Sequence, residues 1–74
     1  MRMIKSQDGK RMFNPKYIRS VWIESDENGV MLRVVADFQG GVVTLREVNT
    51  YEILGAEAYI TRQFEQIEEA MSRG

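Results

Sequence analysis

The sequence predicts an α+β domain: about five short antiparallel strands, forming a sheet or a partial barrel, packed by one C-terminal helix. Three observations lead there. Asp8-Gly9, Asn28-Gly29 and Gly40-Gly41 punctuate the first two-thirds of the 74-residue chain, and each suits a hairpin tip that needs positive φ. The runs between them are short and rich in strand formers. Beyond Asn49 the apolar period changes from that of a strand to that of a helix.

Each element has its own signal. Residues 1–5 and 11–14 flank Asp8-Gly9 and form a first hairpin. Asn14-Pro15 then breaks the ladder, because proline has no N–H to donate. Residues 18–24 form a third strand through Ile18, Val21, Trp22 and Ile23, and the polar stretch 25–29 turns the chain. Residues 30–38 alternate cleanly. Val30, Leu32, Val34, Ala36 and Phe38 share one face, and Met31, Arg33, Val35 and Asp37 share the other. Residues 42–48 follow the next turn, with Val43 and Leu45 alternating with Thr44 and Arg46. Asn49 or Thr50 is a candidate helix N-cap. Ile53, Ala56, Ile60, Phe64, Ile67 and Met71 then form one helical stripe. Gly55 interrupts it, and glycine costs about 1 kcal/mol relative to alanine inside a helix. Either the helix begins near Ala56, or Gly55 admits close approach to the sheet.

The stripe must be buried, and one sheet face is its only large partner. A single domain covering residues 1–74 results, with a thin core. The chain has no cysteine and no histidine. Disulfides, thiolate zinc sites, a cysteine nucleophile and a Ser-His-Asp triad are therefore excluded. The pairs Asp26-Glu27 and Glu68-Glu69 lack the burial that tunes a carboxylate for catalysis, and no acids show a calcium-loop spacing. The expectation is a non-enzymatic protein with no metal and no cofactor. The opening residues lack the apolar region of a signal peptide, and no stretch approaches a membrane span. A cytosolic setting is expected.

Residues 1–22 carry six cations against Asp8 alone, and residues 23–74 carry four arginines against ten acids, so the net charge of −1 hides an asymmetry. Lys10, Arg11 and Arg19 are candidate anion contacts. The stretch Ser6-Gln7-Asp8-Gly9-Lys10 has one glycine and no following helix, so it reads first as a turn and second as a ligand loop. Phe13, Tyr17 and Trp22 interleave with the cations, but the slightly acidic balance argues against nucleic acid. Trp22 has two readings. If Val21 and Ile23 face the helix, Trp22 points outward beside Met31 and Val35 and forms an apolar contact patch. In the inverted register it belongs to the core.

The stretch Ile4-Lys5-Ser6-Gln7-Asp8, with Lys10, resembles the opening of a group of very small proteins of Gram-positive bacteria and their phages or mobile elements. Strands, an acidic turn and a glutamate-rich terminal helix follow in that group. Here the terminal segment is longer and includes Leu54-Gly55-Ala56 near the helix start. The resemblance implies a bacterial or phage setting and no particular activity.

The reading that emerges is a protein-interaction or adaptor module that self-associates as a homo-oligomer such as a homodimer, with Trp22, Met31 and Val35 as contact positions. One alternative is a small domain that binds an anion (nucleotide, lipid headgroup or nucleic acid) through Lys10, Arg11 and Arg19. Another is a phage-type inhibitor whose Glu65, Glu68 and Glu69 face blocks a basic site on a host protein.

Overall fold

A computed structural model describes residues 2–73. Met1, which begins the first predicted strand, and Gly74, which follows the predicted helix, lie outside the described residues. The strands are β1 (Ile4–Lys5), β2 (Met12–Phe13), β3 (Ile18–Ser25), β4 (Met31–Phe38) and β5 (Gly41–Asn49), followed by helix α1 (Ala56–Arg73).

All pairings are antiparallel, but the strands form two sheets and do not close into a barrel. β1 pairs with β2, and β3, β4 and β5 form a second sheet in that order. Pro15 is the reason for the split. It opens a single 3₁₀ turn, Pro15–Tyr17, and the Asn14 side chain caps that turn by accepting from the Lys16 N–H at 2.9 Å. A proline there is pre-set for the turn and cannot continue the β2 ladder.

The helix covers one face of the three-stranded sheet. Val34, Ala36, Leu45 and Val48 from the sheet meet Ala56, Ile60, Ile67 and Ala70 from α1. Ile4 and Phe13 of the hairpin close one end, and the Phe13 and Phe38 rings lie 5.4 Å apart.

Strict alternation along β3 and β5 would not build this core. Ile18 is buried in it, and Val21 packs against it, yet they stand three positions apart, which in a regular strand puts them on opposite faces. The conflict is resolved between Ile18 and Ser20, where Arg19 is the extra residue of a bulge. On β5, Leu45 and Val48 are both buried, and the register there skips Leu45 between Arg46 and Thr44. A bulge shifts the side-chain phase by one position. Each bulge thus turns both halves of its strand toward the helix.

The helix begins at Ala56, which decides between the two readings of Gly55. Gly55 has φ of +75°, and a β-carbon there would meet nothing within 4 Å, so close approach is not its role. Its carbonyl accepts from the Tyr59 N–H at 2.9 Å and opens the helical ladder. Asn49 caps no helix. Its side chain accepts from the Tyr51 N–H at 2.8 Å in a local turn. Ile53, assigned to the stripe from its spacing, is consequently exposed ahead of the helix.

Ile60 retains only 2% of its surface. Replacing it with alanine is expected to cost about 2–5 kcal/mol, out of a total of roughly 4–11 kcal/mol for a domain of this size. Urea denaturation followed by circular dichroism will show I60A unfolding at a markedly lower urea concentration than the parent.

Candidate functional site

The Ser6–Lys10 stretch is a self-satisfied turn. Ser6 Oγ donates to the Asp8 carboxylate at 2.6 Å and accepts from the Arg11 N–H at 3.0 Å. The same Asp8 oxygen accepts from the Lys10 N–H at 3.0 Å. The Ser6 hydroxyl, then the Lys10 N–H, hold the Asp8 carboxyl below its ordinary range. An incoming phosphate would need these donors, and Asp8 already occupies them.

Gln7 performs the task that sequence reasoning missed. Its amide nitrogen donates to the Glu47 carbonyl at 2.9 Å, and its amide oxygen accepts from the Glu47 N–H at 2.7 Å. One side chain thereby mimics a neighbouring strand residue at the outer edge of β5. Arg46 makes a second tie from the bulge. Its guanidinium donates to the Lys5 carbonyl at 2.8 Å, to the Leu45 carbonyl at 2.7 Å and to Gln63 Oε1 on α1 at 2.9 Å. The hairpin is therefore docked on β5 by side chains rather than by a backbone ladder.

The three candidate anion contacts are not assembled into one site. Lys10 is exposed in the turn, and the Arg11 guanidinium stacks 4.9 Å from the Phe13 ring centroid. Arg19 stands on β3, on the far side of β4 from the β5 edge where the hairpin docks.

The sheet face away from the helix is laid out in cross-strand rows. Ser20, Asp37 and Val42 form one, and Trp22, Val35 and Thr44 the next. Glu24, Arg33 and Glu47 form a third, and Met31 lies beyond it opposite Asn49. Val21 packs against the core, so Trp22 points outward, as the first of its two readings holds. Its indole N–H donates to Glu24 at 3.0 Å. Val35 keeps only 3% of its surface although no element covers this face. It stands between Trp22 and Thr44 in its row, and so little of it is exposed that it offers a partner almost no surface. Met31 is separated from Trp22 by the charged row, in which Arg33 pairs with Glu47 at 2.7 Å. The three predicted contact positions therefore share a face without forming one continuous patch.

Two further exposed apolar features flank this face. Ile23 lies on the helix side of β3 at the sheet edge and is 38% exposed. The connection before α1 carries Tyr51, Ile53 and Leu54, and Leu54 is fully exposed. The helical stripe concealed this connection, and Gly55 was its one sequence signal.

Among the described residues no polar or charged side chain is buried, and no group of acids is arranged to hold a metal ion. None of their helices is long and apolar enough to cross a membrane. Compared with known proteins, the chain matches no protein-family model, no curated protein and no solved structure.

Two outcomes test the docking and turn chemistry. Gln7→Ala removes two hydrogen bonds at an exposed site and is expected to cost about 1 kcal/mol, with faster amide exchange at Glu47 measured by NMR. The second concerns Asp26. Partial desolvation works to raise its carboxyl, but the Met31 and Val30 N–H donors and the Arg33 charge outweigh it, and the net shift is downward. Asp8 and Asp26 therefore stabilise the fold above the ordinary carboxylate pKa, and the contribution is lost as pH falls through their depressed folded values. In urea titrations across that range, D8N/D26N will be less stable than the parent at neutral pH and will show a flatter acid limb.

Proposed function

We propose that this domain is a non-enzymatic interaction module of the cytosol that associates with itself through β3 and the face around Trp22. The observation that carries this reading is Trp22 itself. A large aromatic side chain stands on the open face of the sheet, opposite the buried Val35 of the next strand, with a charged row on one side. Aromatic residues in such positions are enriched among interface anchors. The small core gives association a second rationale, since a domain of this size gains a large fraction of its stability from any added burial. The exposed Tyr51, Ile53 and Leu54 favour a second contact, with an unrelated protein, as an adaptor would make.

Light scattering across a concentration series tests the proposal. The parent chain is expected to double in mass as concentration rises, and Trp22→Glu to remain monomeric with an unchanged circular dichroism spectrum. A parent that stays monomeric at every concentration overturns self-association.

A further inference from the structure

The middle of the β5 edge is capped, and the middle of the β3 edge is not. On β5, Gln7 occupies both backbone groups of Glu47, and Arg46 covers the Leu45 carbonyl. On β3, residues 19, 20, 23, 24 and 25 are exposed. Outside the β4 ladder, the edge-facing backbone groups of Val21 and Ile23 have no hydrogen-bond partner among the described residues.

The ladder phase identifies those groups. The Asp26 N–H donates to the Met31 carbonyl at 3.1 Å, in line with the β3–β4 register. Antiparallel pairs alternate between bonded and non-bonded. Counting back, Glu24 and Trp22 bond to β4, whereas Val21 and Ile23 turn their N–H and C=O groups outward. The same count on β5 starts from the Thr50 N–H donating to Val30 and turns Glu47 outward, where Gln7 meets it.

We infer that β3 pairs antiparallel with β3 of a second copy, with Trp22 opposite Trp22 on a two-fold axis, giving a continuous six-stranded sheet. This rests on the self-association proposed above and gives it a geometry. In this register Val21 of each copy bonds to Ile23 of the other, making about four backbone hydrogen bonds. All three central pairs are then apolar: Val21 with Ile23 twice on the helix side, and Trp22 with itself on the open side. The charges also agree. Glu24 of one copy stands opposite Ser20 of the other, with the bulge residue Arg19 at the next position, so opposite charges meet at both ends. The bulge limits regular pairing to residues 20–24, a segment centred on Trp22. Sliding the axis to Val21 sets Ile23 opposite Arg19, and sliding it to Ile23 sets Trp22 opposite Glu24. Both lose apolar pairs.

The chain has no cysteine, so a single introduced thiol reports the register. Trp22 opposite Trp22 is a non-bonded pair with α-carbons about 4.5 Å apart, within the disulfide range of about 4.4–6.8 Å. Trp22→Cys is expected to oxidise to a covalent dimer on a non-reducing gel. Ser20→Cys, displaced about 13 Å from its symmetry mate along the strand, is expected to stay monomeric. Two sheets stacked face to face lie about 10 Å apart and would not cross-link at residue 22. In the parent chain, amide exchange at Val21 and Ile23 is expected to slow as concentration rises, in step with the mass. A parent dimer without slowed exchange at Val21 and Ile23 overturns edge pairing and leaves association through the face. Slowed exchange with cross-linking at Ser20→Cys but not at Trp22→Cys overturns the register. A parent that is monomeric throughout overturns both this inference and the reading on which it rests.

Discussion

A single helix can cover only one face of a sheet, so every strand must turn its apolar residues the same way. That demand governs this fold. The central strand meets it by simple alternation, with Leu32, Val34, Ala36 and Phe38 all on the helix side. The flanking strands cannot, because their apolar residues change parity partway along. Without the extra residue Arg19, either Ile18 or Val21 would face water. Without the bulge at Leu45, regular alternation would turn either Leu45 or Val48 to water. A one-residue error in phase moves an entire apolar set to the wrong face, and the bulges prevent it on both strands.

The second bulge also sets how the hairpin is held. It turns Arg46 toward α1 and β1, where one guanidinium joins three segments of chain. The hairpin contributes Ile4 and Phe13 to the core. Two-residue strands supply little ladder of their own, and an isolated hairpin is marginal in water. Side-chain amide and guanidinium contacts supply the docking that backbone pairing does not.

Turns and periods were legible in the sequence, because both are local. The three glycine dipeptides marked all three hairpin tips, and the stripe from Ala56 to Met71 marked the helix. Bulges were harder to read. The parity changes between Ile18 and Val21 and between Leu45 and Val48 were visible, but they equally suit a strand that ends early. The role of Gln7 depends on a partner 40 positions away, which no local pattern encodes. At the candidate site, the outward direction of Trp22 followed once Val21 was assigned to the core. The separation of Met31 by the Arg33 row was present in the alternation itself. The burial of Val35 was not, because alternation places it on the face away from the helix.

The pairing of Gln7 with Glu47 carries a consequence for growth. A sheet that can add strands on both sides has no natural end, which is how fibrils elongate. Here a side-chain amide sits in the middle of one side and interrupts any ladder that would run past Glu47. A strand added on that side is cut short, whereas one added along β3 meets no such stop.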